Sequence, residues 1–234
     1  MRVAEIWRYP VKSLQGERMN EVEVDPSGVR GDRTYALFDA TTGFGLTARR
    51  EPQLLYAAAS IGSGGALTMT LPDGSVASTD EELSDWLERD VQLRPAADTS
   101  PRRYENLADF EDENGRREPF DGSPGAFHDS AGASLSLLSR DSIGAWDARR
   151  FRANLLLDGG DDRALAGTRV AVGGARLDVG APISRCVMTT RPQPGGLERD
   201  LDVLRTIHRE RGGCLAVGAL VRQPGRVRVG DELS

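Results

Sequence analysis

Short apolar runs, each about the length of one strand and each stopped by glycine, proline or aspartate, recur along the whole of this 234-residue chain. Alternation of apolar and polar side chains marks a half-buried strand, and turn residues between such runs make hairpins. Residues 2–9 read as a strand ended by Pro10, and residues 19–24 as a second, followed by the turn Asp25-Pro26-Ser27-Gly28. Residues 35–38, 44–48, 54–61 and 66–71 continue as strands, so the first third is a β meander. Thr79-Asp80-Glu81-Glu82 is a capping box that opens a helix reaching Arg89, with Leu83, Trp86 and Leu87 at helical spacing and Trp86 a core anchor.

Between residues 94 and 129 the periodicity is lost and Asp, Glu, Arg, Pro and Gly dominate. A structureless stretch of that length is either a linker between two lobes or a functional covering loop. The charge run at 109–113 reads as solvated surface. Beyond it, residues 134–138 form a short apolar element, Ser139 caps a helix through Trp146, and residues 155–157 form a strand. Residues 170–172 and 175–179 make a hairpin about Gly173-Gly174. A helix spans 200–211 with Leu201, Leu204 and Ile207 or His208 on one stripe, and strands at 214–221 and 227–229 close the chain around Pro224-Gly225.

Composition narrows the function. A net charge of −6 and a pI near 5.1 argue against a nucleic-acid or membrane partner met through overall charge, which needs a broad basic face. Two cysteines, Cys186 and Cys214, make neither a disulfide framework nor a zinc ligand set, which fits a reducing compartment. Met1-Arg2-Val3-Ala4-Glu5-Ile6 meets charge too early for a signal peptide, and no apolar stretch reaches membrane-spanning length, so a cytoplasmic protein is expected. Among 30 basic residues only Lys12 is a lysine. A compact point charge in an arginine-rich chain marks a place that a planar fork does not suit.

The chemistry-bearing stretch is Ser184-Arg185-Cys186-Val187-Met188-Thr189-Thr190. A thiolate is the form that attacks or ligates, and a neighbouring cation such as Arg185 favours it. Cys186 has two readings on local sequence, a small buried hydrophobe or a reactive sulfur. Arg152 and Asn154 alternate with apolar neighbours as a strand begins, which predicts that they share a face. No phosphate loop and no dinucleotide fingerprint is present, and neither His128 nor His208 has a metal-ligand partner nearby in sequence. A thiol with cations and hydroxyls suits an anionic cofactor carrying a soft metal.

Six motifs then fall in an order that resembles MOSC-domain proteins, the molybdenum-cofactor family that includes the mitochondrial amidoxime-reducing component and its bacterial relatives. They are Tyr9-Pro10-Val11-Lys12-Ser13, Gly31-Asp32-Arg33, Thr47-Ala48-Arg49-Arg50-Glu51-Pro52, Phe151-Arg152-Ala153-Asn154-Leu155, Arg185-Cys186-Val187-Met188-Thr189-Thr190 and the closing Pro224-Gly225-Arg226-Val227-Arg228-Val229-Gly230-Asp231. The resemblance implies an α+β, mainly β fold: an N-terminal MOSC β-barrel domain over residues 1–95, a connecting segment over 96–128 and a MOSC β-barrel lobe with a few short helices over 129–234. It implies a molybdenum cofactor (molybdopterin) held between the lobes. Cys186 resembles the catalytic thiolate ligand of the metal; Lys12, Ser13 and Arg33 resemble the residues that hold the cofactor phosphate; Arg152, Asn154, Ser184 and Arg185 resemble those lining the pterin. Arg49 belongs to a further matched motif and joins the cofactor-binding set, and Asp129 is the nearest match to an acidic residue of the family.

By that resemblance the protein is an oxidoreductase that reduces N-hydroxylated or N-oxygenated small molecules. No ferredoxin-like domain or membrane anchor occurs within the sequence, so electrons are expected from a separate reductase. The alternative is a carrier or binding protein for the cofactor or for sulfur. Pyridoxal phosphate is disfavoured, because a Schiff base could form only at Lys12 or the N-terminus. Two departures bear on substrate choice: Ala153 stands where the family often has proline, and Arg191-Pro192 where it often has Asp-Pro, reversing the charge at the rim.

Overall fold

The computed structural model describes residues 1–107 and 115–234, so the charge run at 109–113 lies outside the described residues. The largest element is a sheet of seven strands in the spatial order Arg169–Val172, Ala175–Ser184, Cys214–Gln223, Leu135–Ser139, Leu155–Asp158, Arg2–Arg8, Glu17–Met19. Neighbouring strands run antiparallel except Leu135–Ser139 and Leu155–Asp158, which pair in parallel. The first strand of the expected N-terminal lobe is therefore built into the C-terminal sheet. The chain's last strand, Gly225–Arg228, returns to pair with Glu21–Asp25.

Strand alternation sorts the large sheet's side chains into two cores. Val3, Ile6, Leu135, Leu155, Leu177 and Val217 are buried on one side, and Leu138, Leu156, Leu215 and Ala216 join Phe151, Val203 and Ile207 on the other. Each fully buried Leu or Phe contributes about 1.5–3 kcal/mol over an exposed one. A separate core in the N-terminal half gathers Val11, Leu14, Leu37, Leu46, Leu54, Met69 and Leu83, with Trp86 packed against it. The strands here are Tyr35–Asp39 paired with Val91–Pro95, and the small sheet Ala58–Ile61, Leu67–Thr70, Val76–Ala77. Lys12 and Ser13 sit between Val11 and Leu14 of this core, and Arg152 between Phe151 and Ala153 of the helix-covered one, so the junction of the two halves brings them together.

Several local expectations are corrected. Residues 44–48 form no strand; Gly45 makes isolated bridges to Phe38 and Tyr104 instead. Residues 54–56 belong to a 3-10 helix, Pro52–Tyr56, because proline at its start presets the helical φ; the strand begins at Ala58. Ser139 does cap a helix, but it is only Arg140–Ile143 and stops at Gly144 in a positive-φ conformation. In helix Leu201–Arg211, Val203 rather than Leu201 joins Leu204 and Ile207 in the core; Leu201 is exposed, as is His208. The stretch expected as a bare connection carries a 3-10 turn, Ala96–Asp98, and a hairpin of Arg103–Leu107 with Arg117–Asp121.

Candidate functional site

The expected site residues converge from four segments. Lys12 follows the first strand, where its N–H donates to Tyr35 O at 2.8 Å and Pro10 prevents continuation of the strand. Its buried Nζ donates to Asp129 Oδ1 at 2.5 Å and to Phe127 O at 3.1 Å. Ser13 next to it adopts φ 72°, and its Oγ accepts from Ala48 N at 3.0 Å, tying this turn to the loop that carries Arg49. The Arg49 guanidinium lies near enough to the Cys186 sulfur for the two to interact electrostatically, which supports the guanidinium's charge.

Arg33 also has a left-handed backbone, φ 52°, and donates to Asp32 and, at 3.2 Å, to the carbonyl of Arg152. Asp32 is buried and accepts from Tyr9 N at 2.7 Å. Tyr9 lies against two guanidinium groups, Arg152 at 4.3 Å and Arg33 at 5.1 Å from its ring centre. Arg152 donates to Leu14 O at 2.5 Å, a direct tie between the halves. It too is left-handed, φ 51°, as the cap of the 3-10 helix Ala148–Phe151; the strand starts only at Leu155, so alternation does not set where Arg152 points. A left-handed residue other than glycine costs about 1–2 kcal/mol. Of the five such residues described, Ser13, Arg33 and Arg152 are expected site residues, and Ala216 directly follows Leu215, which binds Arg185.

Cys186 is half-buried and caps the 3-10 helix Val187–Thr190, its carbonyl accepting from Thr189 N at 3.1 Å and Thr189 Oγ1 at 3.0 Å. Arg185 points inward, Nε donating to Leu215 O at 2.8 Å and Nη1 to Phe151 O at 3.2 Å. Asn154 is buried and commits its side-chain amide to the strands, accepting from Ser136 N at 3.1 Å and donating to Trp7 O at 3.3 Å. Ser184 is exposed at the end of its strand, opposite Cys214 in register. Cys214 is half-buried.

Charge unites the cluster. Five cations, Lys12, Arg33, Arg49, Arg152 and Arg185, act on Asp129, and Arg49 and Arg185 also on Cys186. Lys12 first, then Arg49 and Arg33, hold the Asp129 carboxyl well below the usual carboxylate range. Burial lowers Lys12 despite Asp129, and lowers Arg152 and Arg185 to about 10. Burial acts against Arg33 too, but Asp32 and Asp129 outweigh it and its value is raised. Asp32, Asp129 and Asp162 are the carboxylates that act on these five cations, so the cluster carries excess positive charge although the chain is acidic overall.

Two groups reach the site without any periodic signal in the sequence. Asp129 is 117 residues from Lys12. Arg150 is buried and donates to three carbonyls, Thr189 O at 3.2 Å, Arg191 O at 3.3 Å and Glu198 O at 2.7 Å. Arg149 adds Pro194 O at 2.9 Å. The segment after Cys186 is thus held from behind by two consecutive arginines. From the other half, Gln15 Nε2 donates to Gln193 Oε1 at 3.0 Å.

The donor set fits an anion. Arg185 Nη2 and Thr47 Oγ1 are buried and have no hydrogen-bond partner among the described residues. Also among those residues, no group of three or more His, Cys, Asp or Glu side chains gathers as a metal site. No helix among the described residues is long and apolar enough to cross a membrane.

A mainly β protein with a thiol among cations where its two halves meet has the chemistry to suit an anionic group. The chain belongs to the MOSC-domain family: residues 1–113 match the MOSC N-terminal beta barrel domain and residues 124–234 the MOSC domain. MOSC domains are associated with molybdopterin cofactor binding. Among solved structures, the YUAD protein from Bacillus subtilis is 12% identical at a TM-score of 0.46, covering 99% of this chain and 93% of that one. A hypothetical protein is likewise 12% identical at 0.46, covering 100% and 66%. YiiM from Geobacillus stearothermophilus is 16% identical at 0.36, covering 50% and 65%. No curated protein matches the chain.

Proposed function

We propose that this protein binds the molybdenum cofactor in the cleft and reduces N-hydroxylated or N-oxygenated small molecules with electrons from a separate protein. The observation that carries the reading is the electrostatic pairing of the Cys186 sulfur with Arg49 and Arg185, beside the Lys12–Asp129 pair that the same two arginines act on. When bound, the cofactor supplies two-electron chemistry for cleaving an N–O bond with release of water. Lys12, Ser13 and Arg33 would hold its phosphate, Arg152, Asn154, Ser184 and Arg185 its pterin, and Cys186 its metal. The chain's own contribution is positioning. Arg152 and Arg33 brace the two halves through Leu14 O and the Arg152 carbonyl, and Arg150 fixes the segment that follows the thiol.

The test is turnover. Protein loaded in a host that makes the cofactor and given a chemical reductant should reduce hydroxylamine, an amidoxime or an N-oxide. Failure on all three, with the cofactor present, overturns the reductase reading. Sulfur found on Cys186 by intact mass, without metal, would favour a carrier.

A further inference from the structure

Tyr104 comes from the stretch that sequence assigned to a connection. It lies on the hairpin strand Arg103–Leu107, and its ring stacks on Phe120 at 5.5 Å and meets Phe38 at 6.1 Å. Two glycines make the slot. A Cβ at Gly45 would come within 2.2 Å of a ring carbon, and one at Gly122 within 2.6 Å. Both backbones are pinned to the same strand region, Gly45 N to Arg103 O and Gly122 N to Arg102 O, each at 2.7 Å. This packing explains an aromatic ring and nothing more, since phenylalanine would fill it equally.

The hydroxyl needs a separate reason. It is buried, on a residue 3% exposed, and has no hydrogen-bond partner among the described residues. A buried hydroxyl left unpaired is destabilising, because it has given up water and gained nothing in return. Nearby Arg102 is already engaged with Thr99 O, Ser123 O and Ala96 O. The same ring lies under Lys12, whose Nζ is 5.4 Å from its centre, and Asp129 acts on the phenol as well. Burial pushes the phenol above its ordinary value, so at neutral pH it keeps its proton and can donate.

We propose that the Tyr104 hydroxyl is a further donor to the phosphate group that Lys12 and Ser13 would hold, supplied by the hairpin whose ring lies under Lys12. The proposal rests on the reading of the cleft as an anion site. It gives a specific binding residue to a stretch whose composition left open a linker or a covering loop.

The experiment uses the full chain purified without cofactor, titrated calorimetrically with inorganic phosphate as wild type, Tyr104→Phe and Lys12→Met. A hydrogen bond to a charged group is worth about 1.5–3 kcal/mol, so Tyr104→Phe should weaken phosphate roughly 10-fold or more. Its thermal stability should not fall, because the ring packing is kept and an unpaired hydroxyl is removed. Equal phosphate affinity in wild type and Tyr104→Phe, with a loss in Lys12→Met, overturns the role of Tyr104 and leaves the anion site standing. No phosphate binding by wild type overturns both. In protein made by a cofactor-competent host, pterin content that falls in Tyr104→Phe identifies the cofactor's phosphate as the ligand. Unchanged pterin alongside weakened phosphate identifies free phosphate and still supports the donor.

Discussion

Lys12 Nζ lies 2.5 Å from Asp129 Oδ1, a pairing of a lysine side chain 9% exposed with an aspartate 72% exposed. The lysine is fixed from below by the Phe127 carbonyl and the Tyr104 ring, whereas the carboxylate is open to water above it. Asp129 is the anion that Lys12 holds in this structure, and a phosphate arriving there would compete with it.

Replacing Asp129 with Asn should therefore tighten phosphate binding by the cofactor-free protein. Water reaches this carboxylate, so the Coulomb gain is at the low end, about 1 kcal/mol, or roughly 5-fold in affinity. Calorimetry would show it. Weakened binding in Asp129→Asn would mean that the carboxylate serves the anion instead of competing with it.

The same pair sets a pH dependence. Burial lowers Lys12 below 10.5 while Asp129 supports its charge. A lysine loses its positive charge as pH rises through its own value, so phosphate affinity should decline at a pH below that of an ordinary lysine. Without the Asp129 charge the decline should begin at still lower pH. Titrations from about pH 7 to about pH 10 would test both. An affinity that is flat over this range, or Asp129→Asn declining later than wild type, would contradict the account.

Arg150 spans three carbonyls of the segment after Cys186, and methionine there would leave all of them without the guanidinium. The expected loss is about 2–4 kcal/mol of unfolding free energy, read by urea denaturation. Lysine should recover only part of it, since its point charge cannot reproduce the fork. A loss under about 1 kcal/mol would make the clamp a surface contact only.

What could be read from sequence was whatever is local. The Thr79–Glu82 capping box is present, with Thr79 Oγ1 accepting from Glu82 N, and the hairpin about Gly173-Gly174 pairs Val172 with Ala175. Motif order brought Lys12, Arg33, Arg49, Arg152, Arg185 and Cys186 onto one list, and all six join the charge cluster. Missing were relationships that only tertiary contact creates. Nothing near Tyr104 signals that two glycines from separate loops enclose its ring. Left-handed backbones at Ser13, Arg33 and Arg152 carry no glycine to announce them. Asn154 matched a pterin-lining position, yet its amide spans Ser136 and Trp7, a use set by the neighbouring strands.

Elemental analysis decides whether Cys186 binds molybdenum. Wild type, Cys186→Ser and Cys214→Ala would be purified from a host that makes the cofactor. Serine keeps the size and replaces a soft ligand by a hard one, so the fold should persist while the metal is lost. Near-stoichiometric molybdenum in wild type and Cys214→Ala, falling sharply in Cys186→Ser, is the predicted result. Metal retained in Cys186→Ser, or absent from all three folded proteins, would contradict it.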